Sequence, residues 1–179
     1  MSPPKAFYAT QGGVLGNMSI RFNPNLYKCG KVCVSILNTW SGDKWSSCQT
    51  INSVLLTLCS LLNESPLENE PGQGKTSRDF IPYQKSIEFK NIDFAICDLI
   101  NRSNINRIPA PFEMFYPFMK QQFLTNYDAI LNFVQNKAKE TNSTSTQVVS
   151  IYNMRTEISY INLEKKLITT KEIIDSEHV

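Results

Sequence analysis

Five cysteines, Cys29, Cys33, Cys48, Cys59 and Cys97, are the strongest nucleophiles in the chain, and its single histidine, His178, is the penultimate residue. A cysteine protease or serine hydrolase needs an imidazole base held beside the nucleophile, and the fraying end of a chain is a poor place for one. No two cysteines are spaced Cys-x-x-Cys, which argues against a structural zinc site. Gly74-Lys75-Thr76 has the ending of a phosphate-binding loop. The first glycine of such a loop would fall on position 69, which is Asn69, so the tract reads as plain loop. Cys33 stands in an apolar, β-branched run over 31–37, and on that run alone it is a buried packing residue. Asn23-Pro24-Asn25, just upstream, is by itself only a turn signal. An odd number of cysteines with no secretory signal reads as free thiols in a reducing compartment, cytoplasmic or nuclear.

The elements that must hold these residues follow from composition and periodicity. The chain has 179 residues, 41% of them apolar, enough for a buried core. Its 18 basic and 16 acidic side chains are spread along the chain without a one-sided segment, which argues against phosphate-driven nucleic-acid binding. No run of about 18 uninterrupted apolar residues offers a membrane span, and no apolar stretch follows the first residues as a signal peptide requires. Residues 1–21 read as turns around short extended pieces, with a strand over 18–22. Residues 31–37 read as a buried extended segment, and 38–44 as a loop. Ser46 and Gln49 form a capping-box signal for a helix whose core stripe is Ile51, Val54, Leu55, Leu58, Leu61 and Leu62. On this reading Cys48 falls in the first turn of that helix, and Cys59 and Cys97 lie in helices beside core faces. Residues 63–79 form a polar loop. Two more helices are predicted, over 82–102 and 117–139, with stripes Phe89, Ile92, Ile96, Leu99 and Met119, Phe123, Tyr127, Ile130, Val134. A linker over 140–146 and a weaker helix over 150–170 complete the chain. Extended segments first and helices after make the fold class α+β.

One segment is more specific. Phe22-Asn23-Pro24-Asn25-Leu26-Tyr27, Gly30-Lys31-Val32-Cys33-Val34-Ser35-Ile36-Leu37, Thr39-Trp40 and Trp45 together resemble the active-site segment of ubiquitin-conjugating enzymes, in particular a subgroup of large ones. The eight-residue step from Asn25 to Cys33 is the family's spacing. Asn23 stands where most members have histidine. The resemblance is strong over 20–75 and weakens after Arg102. It implies that Cys33 carries ubiquitin or a ubiquitin-like modifier as a thioester and hands it to a lysine. The thiol must then be accessible. It implies that Asn25 stabilises the anionic intermediate or braces the loop, and that Glu70 or Asn69 orients the incoming lysine. The implied partners are the modifier, an activating enzyme, a ubiquitin ligase and substrate proteins, with neither nucleic acid nor membrane. There is no intrinsic cofactor, since ATP is consumed by the activating enzyme.

The family pattern also places a helix and a four-stranded meander before this segment, whereas only 32 residues precede Cys33. The expected architecture is therefore a partial ubiquitin-conjugating fold, truncated at its N-terminus. A meander remnant and active-site segment with packed helices would occupy 1–110, a helical extension 111–172 and a charged tail 173–179. A truncated, non-catalytic binding module or a helical scaffold is the alternative reading.

Overall fold

Small polar residues, Thr50 and Ser159, cap the first and last α-helices among the described residues. The computed structural model describes residues 2–8, 20–101 and 110–177. It divides into two compact units, Met1–Gln84 with Ser150–Met154, and Lys85–Val149 with Arg155–Val179. The sequence instead suggested a boundary near residue 110. Asp79, whose carboxylate accepts the backbone N–H groups of Ser150 and Ile151 at 2.9 and 3.0 Å, ties that short segment to the first unit.

In the first unit, helix α1 (Ile51–Leu61) is capped by Thr50, and Ser53 returns the bond to the Thr50 N–H. The predicted Ser46–Gln49 box is only half made. Gln49 Oε1 accepts from the Ser46 N–H at 3.2 Å and closes a separate turn. Cys48 therefore lies ahead of the helix rather than in its first turn. Val54, Leu58 and Leu61 pack on Val32, Val34, Ile36 and Leu37. Ile51, Leu55 and Leu62, predicted to join them, are more than half exposed. The predicted stripe merged two adjacent faces of a helix that has no charged residue, and only one of the two is covered. Cys59 lies on α1 but is exposed, not a packing residue. The strand expected over 18–22 falls partly outside the described residues. Its Ile20 and Phe22 are buried, and no strand is assigned over 20–22 among the described residues. The extended pairing among the described residues of this unit is a set of isolated antiparallel bridges, Phe7 to Lys31 and Leu26 to Val32 among them.

Helix α2 (Phe80–Lys90) continues into a π-helical stretch, Asn91–Asp98. In the second unit this stretch buries Ile92, Phe94 and Cys97. It is followed by α3 (Tyr116–Glu140), strands β1 (Ser145–Val149) and β2 (Met154–Ile158), and α4 (Tyr160–Ser176). The strands replace the predicted linker and the start of the last helix. Met154, Thr156 and Ile158 are buried while Arg155 and Glu157 are exposed, the period-two alternation of a half-covered strand. Ser159 then caps α4. The predicted charged tail is helical through Ser176, because Leu163, Leu167, Thr170 and Ile174 continue one buried stripe. The α+β class holds, with four helices and a two-stranded hairpin among the described residues.

The π-helical turn has an electrostatic partner. Residues five apart lie about 140° from each other around an α-helix, but nearly in line when the winding widens. Asp93 and Asp98 are such a pair, and both reach Lys166 of α4, at 2.5 and 2.8 Å; Lys90 also pairs with Asp93. Burial by itself would raise the Asp93 pKa, but hydrogen bonds from Lys166 and Lys90 outweigh it and hold the carboxyl below its ordinary value. Burial would likewise lower Lys166, and its bonds to Asp93 and Asp98 hold it above. A carboxyl depressed by folding stabilises above its unfolded pKa of about 4 and loses that contribution as pH falls further. An ammonium raised by folding stabilises below about 10.4 and loses its contribution as pH rises through the folded value. The network is thus expected to support the fold from about pH 5 to 10 and to fail on both sides. Asp93→Asn should flatten the acid limb and lower stability by about 2 kcal/mol at neutral pH, read by urea unfolding across pH. An unchanged acid limb would contradict this assignment.

Candidate active site

The eight-residue step from Asn25 to Cys33 becomes geometry through a short hairpin. Leu26 bridges Val32, the Tyr27 N–H donates to the Lys31 carbonyl, and the Gly30 N–H donates to the Tyr27 carbonyl. Gly30 turns at φ +87° beneath the Phe7 ring, where a Cβ would lie 2.0 Å from a ring carbon, so only glycine fits. The chain therefore returns to where it began. The Cys33 N–H donates to the Asn25 carbonyl at 2.8 Å, and Asn25 Nδ2 donates to the Cys33 carbonyl at 2.7 Å. Asn25 Oδ1 is buried with no hydrogen-bond partner among the described residues.

The turn that carries Asn25 is locked from beneath by Asn23, which is fully buried. Its Oδ1 accepts from the Asn25 N–H at 2.9 Å, and its Nδ2 donates to the Leu61 carbonyl at 2.7 Å. Asn69 Nδ2 donates to the same carbonyl at 3.0 Å. Two side-chain amides thus satisfy an acceptor that the last turn of α1 leaves open. The role of Asn23 was missed in the sequence, although an asparagine two residues before its backbone partner is the pattern of an Asx turn. Glu70 Oε2 accepts from the Tyr152 hydroxyl at 2.7 Å and lies 3.7 Å from the Arg21 guanidinium. Asn25 and Cys33 are brought together, while Glu70 and Asn69 are engaged in framework bonds of their own.

The family model for ubiquitin-conjugating enzymes matches residues 1–92, a stretch that holds the whole Asn25–Cys33 hairpin. The chain belongs to the ubiquitin-conjugating enzyme family. It is 41% identical over 128 residues to ubiquitin-conjugating enzyme E2 Z of Homo sapiens, covering 70% of this chain and 34% of that protein. The Danio rerio enzyme of the same name is 38% identical over 128 residues, covering 70% and 36%. The probable ubiquitin-conjugating enzyme protein 17 of Caenorhabditis elegans is 34% identical over 144 residues, covering 75% and 18%. The chain thus spans about a third or less of the length of these relatives.

The accessible thiol expected from the sequence at Cys33 is not observed. Cys33 is 2% exposed. Its flanking residues sit in the apolar cluster with α1. The loop after Leu37 turns back against them, with the Thr39 hydroxyl donating to the Val32 carbonyl at 2.7 Å and accepting from the Val34 N–H at 3.0 Å. Cys97 is also buried, which pushes its thiol pKa up to about 11. Cys29, Cys48 and Cys59 are exposed. Brief treatment of the folded protein with iodoacetamide should therefore label those three well before Cys33 and Cys97, by at least about tenfold in rate, as read by peptide mass spectrometry. Rapid labelling of Cys33 would mean that the buried arrangement is not the one populated in solution.

Proposed function

We propose that this chain is the conjugating core of a ubiquitin-conjugating enzyme, with Cys33 as carrier. The Cys33 sulfur attacks the thioester carbonyl that joins ubiquitin, or a ubiquitin-like modifier, to its activating enzyme. A new carbon–sulfur bond forms at Cys33 and the activating enzyme's thiol leaves. A substrate lysine amine then attacks the same carbonyl, the bond to Cys33 breaks, and the proton lost by the amine balances the departing thiolate. The activating enzyme consumes the ATP, and a ligase brings the substrate.

The observation that carries this reading is the paired bond between Asn25 and Cys33, which puts a neutral amide donor beside the residue that would hold the acyl group. Such a donor stabilises the oxyanion that forms during aminolysis. Loading requires the segment around Cys33 to uncover its sulfur, and the loop over 38–45 is the neighbouring element that would move. A lysine-orienting role for Glu70 would require it to release Tyr152, and one for Asn69 would require it to release the Leu61 carbonyl. A non-catalytic binding module of the same family would also keep Cys33 buried.

One assay separates the two. The chain is incubated with activating enzyme, ATP and ubiquitin, then resolved without reductant. A reductant-sensitive adduct on Cys33 supports the enzyme, and its absence, with the activating enzyme itself loaded, supports the module.

A further inference from the structure

We propose that Arg21 is a positioning residue for Asn25, and that Tyr152, from a segment far along the chain, completes the clamp that holds it. This proposal rests on the catalytic reading given above, but its geometry stands independently.

The Pro24 carbonyl and the Asn25 N–H belong to one rigid peptide plane. Asn23 Oδ1 holds the N–H side at 2.9 Å. Arg21 holds the carbonyl side through Nε at 3.1 Å and through Nη2. With both edges held, the Cα of Asn25 has one place to be, and its side-chain amide reaches the Cys33 carbonyl from there.

Arg21 is in turn held on every side. Its guanidinium lies between two rings, 3.9 Å from the centroid of Tyr27 and 4.3 Å from that of Tyr152. A planar cation stacked between two π faces loses both its attraction and its orientation when one face is removed. Its backbone carbonyl accepts from the fully buried Tyr83 hydroxyl at 2.7 Å, and the Tyr83 ring meets Tyr152 edge to face at 5.5 Å.

The Tyr152 face is delivered by Ser150–Met154, which belongs to the first unit although residues 85–149 separate it from the rest in sequence. Three anchors hold that strap. Asp79 accepts two of its backbone N–H groups, Glu70 accepts the Tyr152 hydroxyl, and Lys28 Nζ donates to the carbonyls of Tyr152 and Asn153 at 3.0 and 3.3 Å. Asp79 and Lys28 hold the strap by its backbone, so the ring keeps its place without the Glu70 bond. The strap lies beyond residue 92, where the family-model match ends.

The test compares Tyr152→Ala, Tyr152→Phe and Arg21→Lys in the full chain. Thioester formation and single-turnover discharge to free lysine are measured separately. Tyr152→Ala and Arg21→Lys should slow discharge about tenfold, as expected for a displaced catalytic group, and leave charging within about twofold. Tyr152→Phe keeps the ring and should discharge within about threefold of the unaltered protein. Discharge unchanged in Tyr152→Ala or Arg21→Lys overturns the proposal, as does a parallel fall in charging and discharge, which marks a merely structural role. The side-chain amide resonances of Asn25 give a second readout that needs no activity. They should move in Tyr152→Ala and Arg21→Lys and stay in place in Tyr152→Phe. If the unaltered chain forms no thioester, the catalytic reading fails and these resonances alone decide the clamp: unmoved signals overturn it. Should Tyr152→Ala not fold, Arg21→Lys, which keeps the charge and the stem, carries the same comparison.

Discussion

Cys33→Ala is expected to lose the modifier adduct completely, because the carbon–sulfur bond that stores the acyl group can no longer form. Three other thiols are exposed, at Cys29, Cys48 and Cys59, so access alone would favour them over Cys33. What they lack is the amide that Asn25 places beside Cys33. A variant with those three cysteines changed to serine should therefore charge as the unaltered chain does. Cys33→Ser should form an oxygen ester that resists reductant and accumulates, since an alkoxide leaves less readily than a thiolate. Removing one buried sulfur lowers stability by about 1 kcal/mol, so loss of the adduct would not come from unfolding; a thermal scan checks this. An adduct that persists in Cys33→Ala would place the chemistry on an exposed thiol and reject the site.

Asn25→Ala is expected to separate the two halves of the reaction. Charging also passes through an oxyanion, but it exchanges thiolates of similar leaving ability, depends less on the donor and should continue. Discharge to an amine passes through a charged tetrahedral intermediate, and loss of one preorganised donor slows such a step by about 10²–10³-fold. The Cys33 carbonyl also loses its side-chain partner, which should lower stability by about 1–3 kcal/mol. Asn25→Asp is the sharper variant. It keeps the shape but replaces the donor with an acceptor, so it should be at least as slow in discharge. Single-turnover discharge of preformed thioester, with urea unfolding alongside, reads both effects. Discharge at the original rate in either variant would leave Asn25 with a bracing role only.

The Asn25–Cys33 pairing and the framework around it differ in how far they were legible beforehand. The spacing of eight residues was legible as a resemblance, but the hairpin that makes its ends meet was not, since the Phe7 ring is what requires Gly30 at its turn. The stripes of Phe89, Ile92 and Leu99, and of Phe123 and Val134, were legible, since helical neighbours three and four apart share a face whatever packs on it. The π-helical widening was not, because it depends on Lys166 reaching Asp93 and Asp98 from another helix. Nor were the strands over 145–158, where a polar stretch disguised an alternation that only burial reveals.

By itself, then, the order of residues determined the α+β class and the extent of the central helices, through interactions a few residues apart. Tertiary structure alone decided that Cys33 is covered, that Ile51, Leu55 and Leu62 are not, and that Tyr152 belongs beside Arg21. Periodicity says which side chains share a face, whereas burial depends on what distant segment arrives to cover that face.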